Sequence, residues 1–267
     1  MKVVLFCGGQ GLRIRDHDGA VPKPMVQIGN RPILWHVMKY YATFGHTDFI
    51  LCLGYKSEVI KDYFLNYKEW ASNDFVMSGG GREIRLLNSD IDEWNITFAD
   101  TGIQSNIAER LKAVEPHLAG EDLFLANYAD GLTDLWLPDY LDAFRRRDRL
   151  ASFVAVRSPE SFHVARIDDD DFCTGIEPIA DADIWFNAGY FIFRPEIFGY
   201  INEGEELVEE PFARLIAERQ LTAYRYEGFW QAMDTFKDKQ ALERRYSTGD
   251  APWQVWRQHP RTPSATG

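Results

Sequence analysis

A chain of 267 residues, 45% of them apolar, is long enough for one large α/β domain or two small ones and can build a sizeable core. Its formal net charge of −12 leaves no broad basic surface, so a nucleic-acid partner is not expected. Cys7, Cys52 and Cys173 are too few and too scattered for a disulfide framework or a zinc site; with no signal peptide and no apolar run of membrane-spanning length, the expectation is a cytoplasmic protein without a membrane partner.

Met1 to Cys7 reads as a buried strand that stops at a glycine cluster, Gly8, Gly9 and Gly11. Glycines lack Cβ, so backbone N–H groups can approach a ligand, and Arg13 and Lys23 add cations beside the loop; such a site suits a polyphosphate. The glycines alone are read equally well as a turn. The dinucleotide fingerprint fails, because its third glycine position, counted from Gly9 and Gly11, is Ile14, and no glycine-lysine pair of a P-loop opens a helix.

Pro32 to Phe44 carries apolar residues at helical spacing, Ile33, Leu34, Val37, Met38 and Tyr41, and Gly45 ends it. Asp48 to Leu53 is a second buried strand, and strand–helix–strand order predicts a right-handed parallel βαβ unit. Ser57 is expected to cap the next helix, with Val59, Ile60, Tyr63, Phe64 and Tyr67 on one face. Residues 72–106 break the rhythm and read as an insertion or lid with short strands at Asp74–Met77, Arg82–Leu87 and Asn95–Ala99. A helix from Ser105, a strand Leu123–Ala126 ending in Tyr128-Ala129-Asp130-Gly131, a helix Pro138–Asp148 and a strand Ala151–Val156 restore the α/β pattern.

Val164–Ile167, Phe172–Ile176 and Phe186–Phe193 read as strands, and the acidic run Asp168–Asp171 as a turn between two of them rather than a metal site. Phe212–Glu218 and Phe236–Tyr246 read as helices around a strand Ala223–Tyr226. The fold class is α/β: a single doubly wound, mostly parallel mixed sheet with helices on both faces. It forms one domain over residues 1–257, with a C-terminal helical extension and a disordered tail at 258–267. Trp253 and Trp256 are read as core more readily than as interface.

Gly8-Gly9-Gln10-Gly11-Leu12-Arg13 followed by Pro22-Lys23-Pro24-Met25 resembles the signature of the sugar-phosphate nucleotidyltransferases. Gly54-Tyr55-Lys56, Asp100-Thr101-Gly102, Tyr128-Ala129-Asp130-Gly131 and Phe229-Trp230-Gln231-Ala232-Met233-Asp234-Thr235 follow in the same order along nearly the whole chain, and are similar to the branch of that family that transfers cytidylyl groups to glucose 1-phosphate. The resemblance implies CTP and a sugar 1-phosphate as substrates, Mg²⁺ as cofactor, a CDP-sugar and pyrophosphate as products, and a homo-oligomer. It implies Asp130 and Asp234 as metal ligands and Arg13 and Lys23 as the catalytic cations. It further implies Gly8, Gly9, Gly11, Gly54, Tyr55, Lys56, Thr101, Gly102 and Arg110 around the nucleotide, and His163, Glu177, Asn187, Ala188 and Gly189 around the acceptor. From the residues alone, an Asp before a Gly is more often a turn, and Arg110 is as readily a helix-surface arginine.

The chain departs from the family pattern in a cluster. Leu12 stands in place of a threonine and Ala129 in place of a glycine. On the acceptor side a phenylalanine-glycine pair reads Phe162-His163, a glutamate-lysine-proline element reads Glu177-Pro178 without its lysine, and an asparagine-glycine-glycine turn reads Asn187-Ala188-Gly189. His163 or Arg166 could replace the lost cation. The expectation is retained cytidylyl transfer to glucose 1-phosphate or a related acceptor, with the rewritten pocket leaving open a phosphorylated acceptor other than plain glucose 1-phosphate. The alternatives are a non-catalytic nucleotide-sugar-binding regulatory protein on the same fold and, given the acidic run, a metal-dependent glycosyltransferase.

Overall fold

In the computed structural model, residues 1–8, 21–158 and 162–258 are described. Seven strands form the central sheet: β1 Val3–Phe6, β2 Asp48–Leu53, β3 Asn95–Asp100, β4 Phe124–Asn127, β5 Ala151–Val156, β6 Phe186–Phe193 and β7 Leu221–Tyr226. Their spatial order is β7-β5-β6-β4-β1-β2-β3. Every neighbouring pair is parallel except those of β6, which runs antiparallel to both β4 and β5. The mostly parallel, doubly wound expectation holds, and β6 is what makes the sheet mixed.

Period-two alternation decides which residues face which layer. Val3, Leu5, Phe49, Leu51, Leu53 and Leu125 enter one buried cluster; Val4, Phe6, Ile50, Cys52, Phe124 and Ala126 enter the other. Both faces are apolar because both are covered by helices, as a parallel sheet requires. Helices α1 Ile33–Thr43 and α4 Leu137–Arg147 pack on the first face; α3 Ile107–Ala113 and α5 Glu210–Ala217 pack on the second. Cys7 and Cys52 lie in these layers, and burial pushes the Cys52 thiol up to about 12, so it stays protonated and inert.

Two local expectations need correction. Helix α2 runs Ser57–Leu65, but its cap position is Lys56, left-handed at φ 54°, so Ser57 is the first helical residue rather than the cap. Asn95–Asp100, expected inside an insertion, pairs with β2 residue by residue and forms the edge of the main sheet. The segment outside the sheet is confined to 72–94, where Phe75–Ser78 and Glu83–Leu86 form an exposed two-stranded ribbon. Its base is tied down by Asp90, which accepts from Arg31 Nη2 at 3.2 Å and from the Tyr67 hydroxyl at 3.0 Å.

The acidic run forms the turn of a second ribbon, His163–Ile167 against Cys173–Pro178, with Asp168 accepting from the backbone N–H of Asp170 and Phe172. The C-terminal extension is α6 Phe236–Thr248 and α7 Val255–Gln258. Trp253 is a core residue, 1% exposed, and its indole N–H donates to Nδ1 of His36 at 3.4 Å. The tail from residue 259 lies outside the described residues.

Candidate active site

The strand order reverses at β1 and β4: the chain winds from β1 towards β2 and β3, then returns to place β4 on the other side. Ligands of open α/β sheets collect at the carboxyl ends of strands at such a point. Gly8 follows β1, and Tyr128, Ala129 and Asp130 follow β4. Gly9, Gly11 and Arg13 belong to the same loop by sequence and lie outside the described residues.

Asp130 and Asp234 meet through a short antiparallel ladder, Gly131–Thr133 with Trp230–Ala232. The ladder ends with Met233 N–H donating to the Asp130 carbonyl at 2.9 Å, so the two aspartates emerge side by side. Asp130 reaches its position through Ala129, buried and left-handed at φ 63°, whose N–H donates to Asn127 Oδ1 at 2.8 Å. A non-glycine residue there costs roughly 1 kcal/mol in backbone energy. Asp234 directly precedes Thr235, which closes a capping box with Asp238 at the start of α6, so it sits at the positive end of a 13-residue helix.

Lys23 joins the two. Its ammonium lies 2.5 Å from Asp130 Oδ2 and 2.6 Å from Asp234 Oδ1, residues 107 and 211 positions away. Pro22 sits at φ −67°, and Pro24 and Met25 are buried, so the backbone carrying this lysine is stiff on both sides. Burial works against the charge on Lys23, but Asp130 and Asp234 outweigh it and raise the ammonium above its ordinary value. Burial likewise raises the Asp130 carboxyl, against the pull of Lys23 and with a further push from Asp234.

This pair of carboxylates fits Mg²⁺. Two aspartate oxygens already converge on one cation, and among the described residues no group of three or more His, Cys, Asp or Glu side chains competes as a metal cage. A hard ion that takes one or two carboxylates and fills its remaining positions with phosphate oxygens and water suits such a site.

Of the predicted nucleotide residues, those that are described come together at the carboxyl ends of β1, β2 and β3, in an unexpected way. Arg110 is not a surface arginine: it is 3% exposed, and its guanidinium donates to the carbonyls of Gly8, Leu53 and Gly102 and to the Thr101 hydroxyl at 2.8–3.2 Å. A Cβ on Gly8 would stand 2.1 Å from Arg110 Nη1, and one on Gly54 would stand 2.9 Å from the same atom. The glycines at these two positions therefore make room for a buried arginine. The Thr101 hydroxyl in turn donates to Leu53 O at 2.8 Å, which pins the β2 and β3 ends together. Tyr55 and Lys56 occupy the turn after Gly54, with the Lys56 ammonium 5.5 Å from the Tyr55 ring centre.

On the acceptor side the predicted set divides. Asn187, Ala188 and Gly189 of β6 pack against Tyr128 and Gly131, which flank Asp130 in the chain: Asn187 Nδ2 approaches the Tyr128 hydroxyl at 3.4 Å, and Gly189, at φ 76°, leaves space that a Cβ would take from Tyr128 at 2.3 Å. The Trp230 indole N–H donates to Ala188 O at 3.0 Å. Tyr128 and Trp230 were not singled out from the sequence, although both lie in quoted motifs; their neighbours' small side chains were the available signal. His163 and Glu177 sit instead on the exposed second ribbon, and no hydrogen bond or ion pair joins it to Lys23, Asp130 or Asp234 among the described residues. Arg166, a suggested replacement cation, is engaged with Glu177 at 2.7 Å.

Gly8 at a sheet switch point, a proline-flanked lysine and a converging aspartate pair fit a phosphate-handling α/β protein, and the chain belongs to the nucleotidyl transferase family, which it matches over residues 2–240. It is 36% identical over 257 residues to the glucose-1-phosphate cytidylyltransferases of Salmonella typhi and of Salmonella typhimurium, covering 96% of this chain and 100% of each relative. The solved structure of UDP-glucose pyrophosphorylase complexed with UDP-glucose shares the fold at a TM-score of 0.68 and 16% identity, covering 93% of this chain and 98% of that one.

Proposed function

We propose that the protein joins CTP to a sugar 1-phosphate, glucose 1-phosphate or a related acceptor, giving a CDP-sugar and pyrophosphate. The observation that carries this reading is the Lys23–Asp130–Asp234 constellation at the switch point, in a chain whose full-length relatives bear the name of that activity.

An oxygen of the acceptor phosphate attacks the α-phosphorus of CTP, and the bond from that phosphorus to the oxygen bridging it to the β-phosphate breaks in line as pyrophosphate leaves. The acceptor phosphate is already ionised at neutral pH, so no general base is needed. The chain's task is to position two anions and offset their repulsion. Asp130 and Asp234 would hold Mg²⁺, which when bound neutralises charge on the phosphate oxygens. Lys23, within hydrogen-bond distance of both aspartates, would offer its ammonium to a phosphate oxygen. Gly8, Gly54, Thr101 and Gly102, held in register by Arg110, would frame the base and ribose, and Asn187, Ala188 and Gly189 the sugar. Arg13, Gly9 and Gly11 complete the triphosphate loop in this reading.

Further parts of the reading are a cytoplasmic location and a homo-oligomer. Among the described residues no helix is long and apolar enough to cross a membrane. The ribbon of 72–94 supports self-association: Phe75, Met77, Ile84 and Leu86 share one of its faces and are 37–63% exposed. The activity is tested by pyrophosphate release from CTP, UTP, dTTP, ATP and GTP in competition, with glucose 1-phosphate and Mg²⁺; CTP should be preferred, and an absence of release with every nucleotide would exclude an enzyme of this class.

A further inference from the structure

Two arginines on the acceptor side make no ion pair among the described residues. Arg157 directly follows β5, and Arg225 lies near the end of β7. Trp185 directly precedes β6. The register Ala155↔Arg225 and Val156↔Phe186 brings all three to one place at the sheet's carboxyl edge. The Arg157 guanidinium lies 4.9 Å from the Trp185 ring centre and that of Arg225 lies 5.3 Å from it. Arg157 Nη1 donates to the carbonyls of Ala180 and Ala182 at 3.2 and 2.9 Å, and neither arginine pairs with a carboxylate among the described residues. Asp183 accepts the indole N–H of Trp185 at 2.8 Å and so orients the ring between them.

Two guanidinium groups gathered on one indole make a local positive site in a chain of net charge −12, one that an anionic group of a ligand can use. A cavity of about 420 Å³ opens beside Arg157, lined also by Val156, Tyr226, Glu227, Gly228 and Trp230. It adjoins the phosphate site through Trp230, whose indole nitrogen would stand 3.2 Å from a Cβ on Gly131, the neighbour of Asp130. Trp230 and Asp234 are four residues apart in the chain, at most roughly 13 Å, so the cavity is within reach of a sugar ring that carries a group at each end and has its phosphate at the aspartate pair. Glu227 is the one acid in its lining and Arg157 the one cation; Arg225 stands outside that lining and is linked to Arg157 through the Trp185 ring.

Resting on the cytidylyl-transfer reading, we propose that Arg157 and Arg225, splayed on Trp185, form an anion subsite for the end of the acceptor sugar remote from its 1-phosphate. The preferred acceptor then carries a second negative group, a phosphate or a carboxylate. This assigns the altered acceptor side a chemistry: the cation lost next to Glu177 is replaced at another position, for another group.

The test uses the full chain with CTP and Mg²⁺ and compares glucose 1-phosphate, glucose 1,6-bisphosphate and glucuronic acid 1-phosphate by pyrophosphate release. The wild type should favour one of the two acceptors that carry a second anionic group, which also tells phosphate from carboxylate. In Arg157→Gln and Arg225→Gln that preference should fall by about tenfold or more through KM for the acceptor, with KM for CTP unmoved. A wild type indifferent to the second group, or a preference that survives in both variants, overturns the subsite. Should no acceptor give pyrophosphate, the cytidylyl-transfer reading fails separately, and calorimetric binding of the same three compounds still decides: glucose 1,6-bisphosphate or glucuronic acid 1-phosphate must bind the wild type more tightly than glucose 1-phosphate and lose that margin in the variants.

Discussion

Replacing Lys23 by methionine should change metal binding and turnover in opposite directions. The lysine now holds both carboxylates that would take Mg²⁺, so the metal must displace it. The Asp130 contact is the stronger, at 2.5 Å with the two side chains only 16% and 23% exposed; the Asp234 contact, at 2.6 Å, has a partner that is 54% exposed and is discounted for solvent screening. A charge-assisted hydrogen bond of the first kind contributes about 1.5 kcal/mol or more and an exposed ion pair about 0.5 kcal/mol. Removing both costs of displacement, about 2 kcal/mol together, should tighten Mg²⁺ or Mn²⁺ binding to the nucleotide-free protein by about thirtyfold. Turnover should fall roughly 10²- to 10³-fold, because the cation facing the phosphates is lost. Calorimetric titration of the metal at pH 8 measures the first effect and pyrophosphate release the second. Metal affinity in Lys23→Met equal to or weaker than wild type would show that the lysine and the metal do not share these carboxylates.

Asp130→Asn and Asp234→Asn should each abolish most turnover while circular dichroism and the cooperative unfolding transition persist, and an undiminished rate in either would remove the proposed metal pair. Gly8→Ala places a methyl 2.1 Å from Arg110 Nη1 and should destabilise by about 1–3 kcal/mol; in an Arg110→Ala background the penalty should shrink, and strict additivity in urea unfolding would refute the steric account. His36 is buried with Nε2–H donating to Ile28 O at 3.0 Å, and burial lowers its pKa from 6.5 to about 4. The unfolded chain therefore takes up a proton first, so the stability contributed by neutral His36 is full above pH 6.5 and is lost as pH falls towards 4, by up to about 3 kcal/mol. His36→Gln should flatten the pH dependence of unfolding in that window, and an unchanged slope would contradict it.

The reach of the sequence is clearest in the helices and strands of both sheet faces. Asp48–Leu53 and Ala151–Val156 were readable to the residue because a strand buried on both faces is a nearly continuous apolar run, interrupted in these two only by Asp48 and Ser152, and α1 because its spacing and Gly45 mark both ends. The phosphate-site residues were legible as an ordered set of short motifs, with Lys23 marked by its prolines. Their meeting was not: Asp130 and Asp234 come together only through a three-residue ladder too short to carry a periodic signal. Nor could local pattern place Asn95–Asp100 in the main sheet, since an edge strand half-covered by solvent looks like any short strand until its partner is known. Arg110 reads as a surface residue because only the tertiary structure supplies the carbonyls that bury it. Arg157, Trp185 and Arg225 are distant in the chain and gather through sheet register alone. Local chemistry thus determined which groups the protein has to work with, and long-range strand pairing, which no window of sequence contains, decided which of them share a site.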